Sequence, residues 1–252
     1  FCLFLGYPRS SHSLIGSLID AHPEAIVAHE QDVLRYLKYG FARKQLFQLL
    51  INNSAGFSRA GRRWTGYSYH VPHQHQGSFQ RLRVIGDKKG GNSTRRLRRN
   101  PKLLPRLAQK IKMPLKVIHV VRNPFDNIST MAFHDCAQDE SKVTHEVLNA
   151  TAMRYFGLVQ AIQAIRHSQG TAIDFMDVHI ETFLKNPKDE LARICVFLGL
   201  KAPPHYLDDC ASIVFKKARK SRTRFCWSEE LIGSVKKRMR AYPFLQHYDF
   251  DS

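Results

Sequence analysis

The run Leu115–Val121 (LKVIHVV) restricts this chain more than any other segment, being rich in β-branched residues and closed by Arg122-Asn123-Pro124. A strand that is apolar on both faces needs cover on both, which is the habit of parallel sheets. Shorter runs of the same kind stand at Phe1–Leu5, Ala25–Ala28, Leu82–Ile85 and Ala172–Phe175. Helical spacing fills the gaps between them: Ser13–Ala21 places Leu14, Ile15, Leu18 and Ile19 on one face, and a second amphipathic helix spans about Asp32 to Leu50. Pro124 opens another helix, since proline suits a first turn. Thr144 to His167 reads as a long helix, and Pro187 to Leu198 as one stopped by Gly199. The last runs from about Ser228 to Arg240. This alternation predicts an α/β fold, a central parallel sheet with helices on both faces, in one domain over residues 1–252. Residues 53–80, rich in Gly, Ser, His and Arg, read as a long loop. Ligands of such sheets sit at the carboxyl ends of the strands, so the strand-ending loops should carry function.

Charge narrows the partner. The 39 Lys and Arg against 21 Asp and Glu give a formal charge of +18. That balance favours nucleic acid, acidic glycan, a membrane surface or a phosphorylated cofactor, unless it is simply a basic surface. No apolar run reaches the 18 or so residues of a membrane span. Phe1–Leu5 is too short, and lacks the basic flank, for a signal peptide. The chain opens directly on a strand, so an anchor or leader ahead of it stays open. With it stays the compartment, cytoplasm or Golgi lumen. The five cysteines are widely spaced with no CxxC, which argues against a metal site. Cys210 and Cys226 are a candidate bridge on proximity in sequence alone. His70, His73 and His75 have metal-like spacing but no Cys or acidic neighbour.

The loop Gly6–Ser13 (GYPRSSHS) joins the first strand to the first helix. Such a turn aims backbone N–H groups and the positive end of a helix dipole at one point, which suits a phosphate. Arg9 adds a cation, and Ser10, Ser11 and Ser13 add hydroxyl donors. Against the nucleoside-triphosphate loop GxxxxGK[ST], Gly6 and Ser13 fall in register, but Ser11 replaces the second Gly and His12 the Lys. A left-handed backbone at position 11 would cost a serine strain. Arg122, at the end of its strand, suits a forked contact to a phosphate. Thr130 lies about two helical turns on and can face the same side, with Ser129 beside it.

YPRSSHSLIGSLIDAHP resembles the 5′-phosphosulfate loop of sulfotransferases that use 3′-phosphoadenosine-5′-phosphosulfate (PAPS), most closely the tyrosylprotein and carbohydrate types. VIHVVRNPFDNIST resembles the 3′-phosphate segment of the same family. AIDFMDVHIETFLKNPKDELARICVFLGL is similar to a later strand and helix of that family, where it serves as scaffold. The basic stretch before Trp227 resembles its late nucleotide loop, with both glycines missing. The resemblance implies a P-loop-like domain. It implies that Arg9, Ser10, Ser11, His12 and Ser13 hold the 5′-phosphate and sulfate, and that Arg122, Ser129 and Thr130 hold the 3′-phosphate. Arg219, Lys220, Ser221 and Arg222 would close over the nucleotide. PAPS is then the co-substrate and 3′,5′-adenosine bisphosphate the product. No metal takes part, and the acceptor is a hydroxyl or amine of a small molecule or glycan. Nucleic acid is not expected.

Such a transfer needs a base for the acceptor proton and cations around the moving oxyanions. Glu30 ends the strand AIVAHE, where the family carries a catalytic Glu, and is the expected base; His12 is the second candidate and His29 should point away. Lys88, ending the third strand before Gly90-Gly91, is expected to stabilise the transition state with Arg9, Lys89 being its neighbouring alternative. Two other readings compete. One is a basic nucleotide- or glycan-binding module derived from such an enzyme. The other is a P-loop kinase, which would need magnesium and a Gly-Lys loop. The acceptor should be read by loops 53–80, 134–145 and 203–226, where Arg62, Arg63, Trp64, Tyr67 and Tyr69 suit an acidic glycan or a flat molecule.

Overall fold

A computed structural model describes residues 1–170 and 172–252, with every side chain among them but that of Gln169. The chain begins with β1 (Cys2–Gly6), α1 (His12–Asp20), β2 (Ala25–His29), α2 (Val33–Lys38) and α3 (Arg43–Arg59). A hairpin, β3 (Arg63–Trp64) and β4 (Tyr67–Ser68), precedes β5 (Val84–Lys88), α4 (Gly91–Arg99) and α5 (Leu103–Ile111). Next come β6 (Lys116–Val121), α6 (Pro124–Asp135), α7 (His145–Gln169) and β7 (Asp174–His179). The remainder is helical: α8 (Ile180–Lys185), α9 (Pro187–Leu198), α10 (Pro204–Ser212) and α11 (Glu229–Met239), with a 3-10 turn at Ser221–Arg224.

The main sheet has five strands in the order β2-β5-β1-β6-β7, every pair parallel. From β1 the chain turns to β2 on one side, and from β6 it turns to β7 on the other. The order therefore reverses between β1 and β6, where open parallel sheets form their ligand crevice. The loops that follow these two strands, Tyr7–Ser11 and Arg122–Asn123, are neighbours at that point, since Gly6 pairs with Val120. The α/β expectation of a parallel sheet covered on both faces is met.

Side-chain alternation along β1 sends Cys2 and Phe4 to one face and Leu3 and Leu5 to the other. The first face is covered by α1 and α8–α10 through Leu14, Leu18, Phe183 and Ile194. The second is covered by α2, α3 and α5, with Leu34, Leu50 and Leu107 wholly buried. Burying each such side chain contributes about 1.5–3 kcal/mol. A third cluster joins Tyr7, α6, α7, α11 and the carboxyl-terminal residues Phe244 and Leu245. It rests on the end of the sheet where the crevice opens. Gly86 is needed where β5 meets β1, because a Cβ there would stand 2.4 Å from the carbonyl of Cys2.

Several elements depart from the sequence reading. The helix expected over 32–50 is two helices, broken at Tyr39-Gly40, where Gly40 takes φ 83°. Its second half runs on to Arg59, so part of the expected loop is helical. Within the rest of that loop, Thr65 and Gly66 both adopt positive φ, 48° and 81°, which closes a two-residue hairpin with the twist that strands prefer. The third strand starts later and reaches Lys88, extended by pairing with β2. The last strand lies at 174–179 rather than 172–175, because an edge strand covered on one face alternates instead of running apolar. All five cysteines are free thiols: Cys210 is buried against Leu18 while Cys226 is exposed. Among the described residues no helix is long and apolar enough to cross a membrane.

Candidate active site

The loop after β1 bends through two non-glycine residues in the left-handed region, Arg9 and Ser11, each with φ 68°, on either side of Ser10. Alternating backbone hand of this kind turns successive N–H groups toward one point and makes an anion cradle at the start of α1. The strain expected of a non-glycine residue at position 11 is therefore present. Ser10 is fully buried: its hydroxyl donates to the carbonyl of Tyr7 at 3.1 Å and meets Nε2 of His12 at 3.0 Å. The His12 ring wedges under the loop against Gly6 and Gly90, where a Cβ on Gly90 would come within 2.4 Å of Nε2. Burial, reinforced by Lys88, pushes the His12 pKa down to about 3. The ring is thus neutral at ordinary pH.

A buried relay fixes the loop from below. The Tyr7 hydroxyl meets His119 Nε2 at 2.9 Å, and His119 Nδ1 meets Asp177 at 2.7 Å. Arg166 closes the chain by pairing with Asp177. The sequence reading passed over this relay, although a histidine in the middle of LKVIHVV was its visible sign.

Beside this loop, Glu30 sits just beyond β2 in left-handed backbone (φ 61°), its N–H donating to the carbonyl of Lys88 at 3.0 Å. Lys88 Nζ donates to Glu30 Oε1 at 2.6 Å and to the Ser13 hydroxyl at 3.0 Å. Lys89 pairs with Glu30 Oε2 at 2.9 Å. Burial alone would raise the Glu30 carboxyl, but the two ammonium groups outweigh it and hold the pKa below the usual glutamate value. Lys88 is buried, and burial lowers its pKa against the pull of Glu30. His29 points away from this group, stacked on Phe57 with ring centroids 4.0 Å apart.

Arg122 makes the second cluster. Its Nη1 donates to Thr130 at 3.1 Å and to the carbonyl of Arg9 at 3.4 Å. Its Nη2 donates to the carbonyl of Arg219 at 2.7 Å and to the Ser221 hydroxyl at 3.1 Å. Thr130 and Ser221 are themselves 3.0 Å apart. Asn127 ties α6 to the first loop by donating to the carbonyl of Pro8 at 2.8 Å. Not every expected residue joins this cluster. Ser129 is buried and accepts from the indole of Trp227 at 3.2 Å. Arg222 turns its guanidinium into a buried ion pair with Asp126 at 2.7 Å, each 2% exposed, and so holds the late loop on α6. Lys220 is exposed at the turn, and Arg219 lies over the ring of Tyr67 at 5.7 Å.

One cleft of about 690 Å³ is lined by residues of both clusters, Arg9, Ser11, His12, Ser13 and Glu30 from the first and Arg122, Thr130, Arg219 and Ser221 from the second. Trp64, Tyr67 and Tyr69 of the hairpin region form a side wall. Arg62 does not, being buried in an ion pair with Asp20 at 2.8 Å. Lys89, the alternative to Lys88, also lines the cleft, and Arg95 and Arg224 add cations that the sequence did not single out. The size suits a cofactor-sized ligand, and the walls suit an anionic one. Among the described residues no three His, Cys, Asp or Glu are grouped to hold a metal ion.

A family model described as "Sulfotransferase family" matches residues 3–204. The chain belongs to the sulfotransferase family. Membership carries the general reaction, sulfuryl transfer from PAPS to an acceptor. Solved sulfotransferases are similar in fold. The sulfotransferase domain of the Synechococcus PCC 7002 olefin synthase shares 15% identity, with 96% of this chain and 94% of that chain covered and a TM-score of 0.55. Sulfotransferase STF9 of Mycobacterium avium shares 10% identity over 100% of this chain and 78% of that one, with a TM-score of 0.56. A sulfotransferase of Alicyclobacillus acidocaldarius shares 14% over 99% and 96%, with a TM-score of 0.51. No curated protein sequence gives a significant match.

Proposed function

We propose that this sulfotransferase holds PAPS across the cleft, with the 5′-phosphosulfate in the Arg9–Ser13 loop and the 3′-phosphate against Arg122, Thr130 and Ser221. The observation that supports this reading is the continuity of the cleft. The two phosphate-type clusters share one space and touch through the contact of Arg122 with the Arg9 carbonyl. Donors and cations dominate both ends, which fits a ligand carrying negative charge at each.

PAPS supplies a sulfuryl group already bonded to a good leaving phosphate. The residues of the chain then have two tasks. Glu30 takes the proton of the acceptor hydroxyl or amine as the acceptor–sulfur bond forms and the bond from sulfur to the bridging oxygen breaks. Arg9 and Lys88 face the charge that develops on the sulfuryl and bridging oxygens, and their cationic ends stabilise it. Lys88 links the tasks. It now shares its protons between Glu30 and Ser13, so an anion in the loop that draws Lys88 away would leave the carboxylate with Lys89 alone and raise its basicity. His12 serves the loop as a neutral wedge, and Arg222 serves it by fixing the late turn.

The test is transfer itself. Labelled PAPS with a panel of hydroxyl and amine acceptors should yield labelled product and stoichiometric 3′,5′-adenosine bisphosphate without added metal. Absence of transfer to every acceptor class, together with no binding of the bisphosphate, would defeat the reading.

A further inference from the structure

The strand β7 is an edge of the main sheet, beside β6. Its side chains alternate across the sheet: Met176 and Val178, with Ile180 just past the strand, enter the first core cluster. The other row, Asp177, His179 and Glu181, is polar and half-buried. A polar row at a sheet edge ordinarily faces water. Here each member is hydrogen-bonded inward. Asp177 stands directly opposite His119 in the register of β6. Paired with Arg166, it accepts the Nδ1–H of His119 at 2.7 Å, which leaves Nε2 to accept from the Tyr7 hydroxyl at 2.9 Å. Glu181 Oε1 accepts from the backbone N–H of Asn123, the residue after Arg122, at 2.8 Å. Its Oε2 accepts from the Tyr248 hydroxyl at 2.8 Å, and that hydroxyl meets Nδ1 of His179 at 3.2 Å. Asn123 in turn starts α6, its side chain accepting from the N–H of Phe125 at 3.0 Å.

We infer that β7 positions both ends of the nucleotide site, Asp177 acting through His119 and Tyr7 on the Arg9–Ser13 loop, and Glu181, held by Tyr248, acting through Asn123 on Arg122. The inference rests on the reading of those two clusters as the 5′- and 3′-phosphate sites. Neither tyrosine lines the cleft: Tyr7 is wholly buried and Tyr248 is 8% exposed. Both are therefore positioning residues. Tyr7 is the first residue of its loop, and its carbonyl accepts from Ser10, so a shift of the phenol is passed to the turn that cradles the anion. The left-handed residues Arg9 and Ser11 cost energy and persist only where their surroundings over-determine them. The buried bond from hydroxyl to imidazole is one such constraint. At the other end, the hold on the N–H of Asn123 fixes the peptide through which Arg122 leaves β6. It also fixes the start of α6, and with it the place of Thr130, which accepts from Arg122. The two relays have no side chain in common and meet only through the backbone of β7. Loosening one should therefore leave the other end of the ligand site unchanged.

Tyr7→Phe and Tyr248→Phe each delete one buried hydroxyl and keep the ring, so a general effect on folding would be alike in both. Affinities of the parent and both variants for adenosine 5′-monophosphate and adenosine 3′-monophosphate should be measured by displacement of bound 3′,5′-adenosine bisphosphate. Tyr7→Phe should weaken the 5′-monophosphate about five- to tenfold and the 3′-monophosphate less than about twofold, the size expected of one hydrogen bond. Tyr248→Phe should do the reverse. Glu181→Gln against Glu181→Ala repeats the 3′ test without touching either tyrosine. The glutamine keeps an oxygen for the N–H of Asn123 and should hold the 3′-monophosphate within about threefold of the parent, whereas the alanine should lose about tenfold or more. Equal losses for the two monophosphates, or no loss for either, would make the relays plain scaffold and overturn this inference alone. No bisphosphate binding by the parent would overturn the functional reading and this inference with it.

Discussion

Lys88 holds Glu30 by a 2.6 Å hydrogen bond from inside the protein, and its own exposure is only 1%. A carboxylate held this way titrates below the usual glutamate value. The proposed base is therefore ionised throughout the neutral range, and protonation removes it only in acid. The expected profile of kcat/KM is flat on its acid side from about pH 8 down to about pH 5, the ordinary glutamate range being near 4.3. A single ionisation near 6.5 would point to a histidine of ordinary basicity instead.

Glu30→Gln keeps size and hydrogen-bonding capacity and removes the proton acceptor. Turnover should fall by about 10²- to 10⁴-fold, the usual share of a general base. Calorimetric affinity for 3′,5′-adenosine bisphosphate should stay within about twofold, since the proposed role of Glu30 is toward the acceptor. Unchanged turnover would remove Glu30 from the mechanism.

Arg122 and Arg222 are both buried and both basic, but they should behave differently. Arg122→Ala removes donors from the proposed 3′-phosphate site and should weaken bisphosphate binding by about 1.5–3 kcal/mol. Arg222→Ala leaves Asp126 buried without its partner, a change that costs about 3–5 kcal/mol of folding stability. Chemical denaturation and ligand titration on the two variants would separate the roles.

Ser11 adopts φ 68° and ψ 20° at the start of α1 without capping it through its side chain. Glycine takes that conformation freely. Ser11→Gly should raise stability by about 0.5–1 kcal/mol, read as a higher denaturation midpoint. A loss of stability would mean that the hydroxyl is needed in the loop.

Much of this was legible in the residues. LKVIHVV and FCLFLG are apolar on both faces, and only the centre of a parallel sheet accommodates two such strands side by side. Arg9 and Arg122 stood out because the two strand-ending loops that carry them resemble the two nucleotide segments of one family, and the structure brings those loops together. What stayed hidden depends on rotation and tertiary packing. Ser129 and Thr130 differ by 100° around α6, and sequence cannot say which faces the cleft. Arg219 to Arg222 read as one basic run, yet their side chains part between Tyr67, solvent and Asp126. The helix α4 escaped notice because arginines mask its small buried face, and the hairpin escaped because its Thr65-Gly66 turn is short.

The central claim is that one ligand spans from the Arg9 loop to Arg122. Titration of the protein with adenosine 3′,5′-bisphosphate, adenosine 5′-monophosphate and adenosine 3′-monophosphate tests it most directly. If both ends hold phosphate, the bisphosphate should bind about 10- to 100-fold more tightly than either monophosphate, each phosphate adding its own charge-assisted contacts. A bisphosphate no tighter than one of the monophosphates would show that only one of the two clusters binds the nucleotide.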